Sequence, residues 1–219
     1  MTRLGPLVRP GARLGGGLFV VGSVQFVLAM ILVQLHYPGY TDAGNYISDL
    51  GNSTLSPWYA VFNGSIILLG VLGILGTLLI RSAFLARTSV RLGLFFLALT
   101  SLGAILVGLF PETATELGGN VHGYVSDLTF ISSGFALLFL GFGMLRDPRW
   151  GVYGLYTILS GIVNFLAIVG FTLVATAGSY GSWERLIVAP ILLWAIVAGG
   201  HILGLPSYPG RAIAPRPVT

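Results

Sequence analysis

The chain has 219 residues, of which 55% are hydrophobic and only 8% charged, with a mean hydropathy of +0.89. A soluble domain covers its surface with roughly 25% charged residues, so this composition excludes a water-soluble globular fold. The net charge of +4 comes from arginines that cluster in alternate loops, a topology signal with no nucleic-acid footprint in it; the lack of cysteine excludes disulfides, thiolate metal sites and a cysteine nucleophile.

Six mainly apolar stretches of about twenty residues can each cross a ~30 Å hydrocarbon core at ~1.5 Å per residue. They fall near 14–35, 57–80, 89–110, 123–145, 153–176 and 186–205. The expected fold is therefore an all-α integral membrane bundle of six transmembrane helices, a single domain over 1–205 with a flexible tail over 206–219 rich in proline.

Arg3, Arg9 and Arg13 precede the first apolar run, which is too long for a secretory h-region and has no A-x-A site after it. It reads as an uncleaved first helix. The loop over 36–56 is long for a bundle connection, and loops beyond about 12–15 residues are usually functional or disordered. Apolar Tyr46, Ile47 and Leu50 beside polar Asn45, Ser48 and Asp49 predict a short interfacial helix, begun near Thr41 or Asp42 and stopped by Gly51. Ser56 then serves as cap and Pro57 as first residue of the second helix.

In the second helix Gly70, Gly73 and Gly76 recur at near-helical spacing, and Asn63 stands seven before Gly70. In the fourth, Asp127, Gly134 and Gly141 are also seven apart. Small residues on one face let membrane helices approach closely, so both faces are expected to meet other helices. The connection before the fourth helix brings Glu112 and His122 to the same end, with His122 and Ser126 on one face. Pro190 is expected to kink the sixth helix.

Ten of the eleven arginines fall before the first helix, in the loops near 81–91 and 146–149, or in the tail; only Arg185 falls on the other side. Cationic loops stay cytoplasmic, which predicts cytoplasmic N- and C-termini, a multi-pass cell-membrane protein, and an outer surface carrying Asp42, Asp49, Glu112, Glu116 and Glu184. Trp58 and Trp183 are expected at the outer boundary, Trp150 and Tyr153 at the inner one.

Asp127 is the one acid well inside a predicted helix, and intramembrane acids are functional candidates by default. Asn45, Ser48, Asp49, Asn63, Glu112, His122 and Asp127 all map to the outer third of the membrane. They predict one ligand-binding pocket there, with Asp127 and His122 as candidate acid and base. No H-E-x-x-H or comparable spacing occurs, and His201 falls at the opposite end from His36 and His122, so neither a metal nor a cofactor is expected.

Asn45-Tyr-Ile-Ser-Asp-Leu-Gly51, Pro57, Phe62-Asn63, Gly108-Leu-Phe-Pro-Glu112 and His122-Gly with Ser126 together resemble the six-helix prokaryotic membrane family catalogued as domain of unknown function 998. A second likeness, limited to the Ile-Ser-Asp-Leu-Gly block and the helix count, is to the eukaryotic autophagy-modulator and GPI-lipid-remodelling membrane family. The resemblance implies a six-helix fold and a joint role for Ser48, Asp49, Asn63, Glu112 and His122; it supplies no established reaction.

Three readings stand at this level. The first is an outer-side pocket that binds or modifies a lipid or small molecule. The second is an accessory subunit, joined to other membrane subunits or a second copy through glycine-rich faces. The third is a small-solute carrier using Asp127, Gln25 and Asn164. Membrane lipids are the expected partners in the first.

Overall fold

A computed structural model describes residues 7–114 and 120–206 of the chain. Beyond Pro206 the predicted tail lies outside the described residues, as do Arg3 and Glu116. Six helices long and apolar enough to cross a membrane account for most of the rest: α1 (Pro10–Leu35), α2 (Tyr59–Leu79), α3 (Thr88–Leu109), α4 (Val121–Met144), α5 (Tyr153–Leu173) and α6 (Tyr180–Gly204). No strand element occurs among the described residues.

Each helix packs on its neighbours in chain order, and α6 returns to α1. The ring is closed by small residues. A Cβ on Gly16 would meet the Gly199 carbonyl oxygen at 2.7 Å, one on Gly15 the Gly76 carbonyl at 2.9 Å, and one on Gly70 the Ile105 side chain at 2.6 Å. Gly134 and Gly141 press in the same way on Phe165 and Ile158 of α5. Without a hydrophobic drive between helices in lipid, such contacts supply the packing. Helices α4 and α6 also touch directly, so α5 packs against the outside of that pair.

Polar side chains inside the bundle act as cross-links. The Asn164 amide donates to Ser133 Oγ (3.0 Å) and to the Ile187 carbonyl (2.8 Å), tying α5 to α4 and α6. Gln25 donates to the Ser65 carbonyl (2.9 Å), tying α1 to α2. Helix α6 runs through Pro190 without a break.

Several boundaries differ from the sequence expectation. Helix α6 begins at Tyr180, which takes Glu184 and Arg185 into the helix. Helix α2 begins at Tyr59 with no side-chain cap; Ser56 instead accepts the Tyr59 N–H through its carbonyl, extending the turn over Pro57. Of the short helix expected from Thr41 to Gly51, only a 3-10 turn over Ser48–Gly51 forms, because the Asn45 side chain takes the Thr41 N–H (3.0 Å) and diverts the backbone.

Trp150, expected at the membrane boundary, is fully buried. It donates to the Ala83 carbonyl (2.9 Å) and stacks on Phe84 at 4.8 Å. Beside it Asp147, 2% exposed, pairs with Arg149 (2.7 Å) and accepts the Leu85 N–H (3.0 Å), while His201 Nε2 donates to the Arg149 carbonyl (2.7 Å). A donor buried with its ring needs a partner nearby, and this lock supplies one while joining the loops near 83 and 149 to α6. It closes the arginine-rich end of the bundle.

Candidate functional site

The helices surround a cavity of ≈ 110 Å³ between α1, α2, α3, α4 and α6; α5 contributes no lining residue. Its walls are apolar, with Phe26, Phe62, Leu97, Ile187 and Leu192 among them. The wall hydroxyls of Thr100, Ser101, Thr129 and Ser133 each donate to a carbonyl three or four residues back in their own helix. Ser23 Oγ is buried and without a partner among the described residues.

Polar groups reach the cavity mainly at its acidic end, where Ile47, Ser48, Ser126 and Glu184 form a ceiling. The 3-10 turn reaches this position because Ile47 and Leu50 are buried with Phe26, Val33, Phe62 and Leu192. Glu184, 7% exposed, accepts the Ile47 N–H. Asn63 of α2 donates to the Gly51 carbonyl (3.0 Å), and only glycine fits there, since a Cβ would meet Phe62 at 3.0 Å and Asn63 closer still.

A second polar layer lies above the ceiling. Ser48 Oγ donates to Glu112 Oε1 (2.6 Å) and Asn52 to Glu112 Oε2 (3.3 Å). Asp49 accepts from the Asn45 amide and the Tyr46 N–H, each at 3.0 Å. Burial pushes the Asp49 carboxyl above its ordinary value; the charge of Glu112 and a hydrogen bond shared with it add to the rise, against the donors Asn45 and Tyr46. Arg185 is held outside this layer by Tyr40 Oη (2.6 Å), Asp42 (2.8 Å) and the carbonyls of Gly181 and Asn45.

Of the residues singled out in the sequence, Asn45, Ser48, Asp49 and Glu112 join one network, and Asn63 braces it through Gly51. His122 Nδ1 lies 2.8 Å from the Phe110 carbonyl, two residues before Glu112, and its Nε2 lies 3.4 Å from Ser126 Oγ. A carbonyl only accepts, so Nδ1 carries the proton and Nε2 faces Ser126 as the acceptor in the neutral ring. Only Ser48 among these lines the cavity itself.

Asp127 is placed differently from the expectation. It is exposed, in a shallow groove on the outside of the bundle with Phe96, Leu99, Ile131 and Phe135. Its supposed companions Gly134 and Gly141 do meet α5, but a heptad step drifts by ~20° and spacing along one helix says nothing of where the partner helix leans away. Among the described residues Asp127 has no hydrogen bond or ion pair. It is therefore removed from the acid–base pair suggested with His122.

Glu184, expected just before the sixth helix at the outer surface, is the acid that reaches the cavity. The signal lay in its spacing: Ile187, Val188 and Ile191 follow at three, four and seven, one helical face, and all three line the cavity. Among the described residues no three His, Cys, Asp or Glu side chains are grouped to hold a metal ion. Glu184 at the ceiling, with Asp49 and Glu112 in the layer above it, offers hydrogen-bond acceptors.

The family model described as "Protein of unknown function (DUF998)" matches residues 20–201, a span that takes in the whole ceiling and the layer above it. No curated protein and no solved structure matches the chain.

Proposed function

Given that the chain belongs to the DUF998 family, whose description carries no activity, we propose from its own geometry that it binds an amphipathic lipid or small molecule within the membrane. The apolar part would occupy the cavity and the polar part would lie under Ser48 and Glu184. One observation carries this reading: an apolar cavity inside a membrane bundle ends in a single layer of convergent polar groups, the usual make-up of a small-molecule site. With the arginine-rich end in the cytoplasm of a cell membrane, the ceiling would lie toward the outer leaflet.

The other readings have less support. The glycine faces are occupied by the protein's own helices, which leaves little of them for another subunit. Gln25 and Asn164 are engaged in cross-links and do not line the cavity, so they mark no path for a solute. Mass spectrometry of the purified protein is the test. A bound amphiphile in the parent, lost in the cavity-filling Val188→Trp, supports the reading; a parent that carries none from its native membrane overturns it.

A further inference from the structure

The ceiling differs from an ordinary lipid head-group site in the sign of its charges. Glu184 is 7% exposed and lines the cavity. One carboxylate oxygen accepts the Ile47 N–H, and the other has no partner among the described residues. Glu112 and Asp49 act electrostatically on Glu184, and Arg185 acts on it in the opposite sense. No arginine lines the cavity, and the nearest, Arg185, spends its guanidinium on Asp42, Tyr40 and two carbonyls outside it.

Ser48 Oγ gives its proton to Glu112 and so presents lone pairs to the cavity. A second feature is independent of the acids: the buried Ser23 Oγ in the cavity wall has no partner among the described residues. A buried carboxylate without a cation is costly, and an ammonium group brings both the charge and three donors. A phosphate or carboxylate head would instead meet Glu184, with Glu112 and Asp49 behind it, while Arg185, the neighbouring cation, is engaged by Tyr40 and Asp42 and does not line the cavity.

Resting on the binding role proposed above, we infer that the occupant is a long-chain amine or amino alcohol, its ammonium group against Glu184 and its chain running along α6 toward Ala195. From Glu184 to Ala195 the helix rises ~16 Å, which gives the chain its depth. The same ceiling excludes phosphorylated amphiphiles, so the selectivity is built from repulsion as well as attraction.

Three probes with one chain and different heads test this: dodecylamine, dodecanol and dodecyl phosphate, titrated onto the full-length protein in nanodiscs of zwitterionic lipid, with Val188→Trp correcting for partition into the bilayer. Dodecylamine is expected to bind at least about tenfold tighter than dodecyl phosphate, with dodecanol between them. In Glu184→Gln the advantage of the amine over the alcohol should be lost. Equal or tighter binding of dodecyl phosphate to the parent overturns the inference and leaves the cavity reading intact, and needs no variant to fold. An amine preference that survives in Glu184→Gln overturns it as well. Failure of all three probes to bind removes both readings.

Discussion

The carboxyl of Glu184 on α6 accepts the backbone N–H of Ile47, a residue 137 positions earlier in the first loop. That bond fixes the height of the 3-10 turn over the cavity, because Ile47 and Ser48 on the turn form the ceiling together with Glu184 itself. Ile47 and Leu50 contribute burial, but burial alone has no direction; the carboxylate gives the turn its register.

Glu184→Gln keeps an acceptor for the Ile47 N–H and should melt close to the parent. Glu184→Leu strands that buried donor and should lower stability by about 1–3 kcal/mol. Thermal unfolding in detergent checks both. Equal losses for the two variants would assign the cost to the lost charge and not to the hydrogen bond.

Glycine positions divide into two classes with opposite expectations. Gly70 and Gly134 abut α3 and α5 so closely that any side chain must displace a neighbour, whereas Gly64 and Gly200 have nothing within 4 Å of an added Cβ. Gly70→Leu and Gly134→Leu should each cost about 1–3 kcal/mol through overpacking. Gly200→Ala should gain up to ~1 kcal/mol, since alanine is the better helix former. A denaturation series reads the sign directly.

Two carboxyls outside the membrane spans should respond to pH in opposite senses. At Asp147 burial favours the neutral form, but the hydrogen bonds and charge of Arg149, with the Leu85 N–H, outweigh it and hold the group below its ordinary value. Its contribution is thus present above the unfolded carboxylate value, about 3.9, and is lost as pH falls through the lower folded value. At Asp49 the folded value is raised, so its contribution is present below the ordinary value and lost as pH rises through the folded one. Asp147→Asn should therefore destabilise at pH 7, by roughly 3–5 kcal/mol if the buried pair is fully broken, with the gap to the parent closing in acid. Asp49→Asn should stabilise at pH 7 and lose that advantage in acid. Melting curves across the acid range decide each case.

The helix count was legible because it rests on local sequence, and of the site residues expected from the sequence Ser48 reaches the cavity. Apolar runs of membrane length are hard to mistake, and the first loop shows its alternation of polar and apolar residues openly. What was not legible depended on which helices lean together. Tyr46-Ile-Ser-Asp-Leu50 and Tyr124-Val-Ser-Asp-Leu128 read almost alike, yet Asp49 joins the layer over the cavity and Asp127 faces outward. Trp150 misled for a related reason. Its ring is amphipathic as expected, but the Ala83 carbonyl, distant in sequence, supplied the polar partner and drew it inside.

The proposed orientation can be tested on a protein with no cysteine of its own. Single cysteines at Ser53 and Gly178, both exposed at the acidic end, should react with an impermeant thiol reagent in intact cells. One at Ala86, exposed at the arginine-rich end, should react only after lysis. The reverse pattern would place the ceiling in the cytoplasmic leaflet and leave the cavity unchanged.

Ser126 and Asp127 are adjacent in sequence and about 100° apart around α4, and the two positions make opposite predictions. Ser126 lines the cavity next to His122, whereas Asp127 shares an outer groove with Phe96 and Phe135. Ser126→Phe should therefore project a ring into the cavity and displace the bound amphiphile, with the helix itself retained. Asp127→Leu should leave the amphiphile in place. It should also stabilise the bundle, because a lone acid facing hydrocarbon is unfavourable by up to ~3 kcal/mol at mid-membrane and by less near a helix end; Asp127 lies six residues, or ~9 Å, from the start of α4. Ligand occupancy by native mass spectrometry and thermal stability, measured on both variants, separate the two effects. Loss of the amphiphile in a well-folded Asp127→Leu would return that acid to the site and require the groove and the cavity to communicate between α3 and α4.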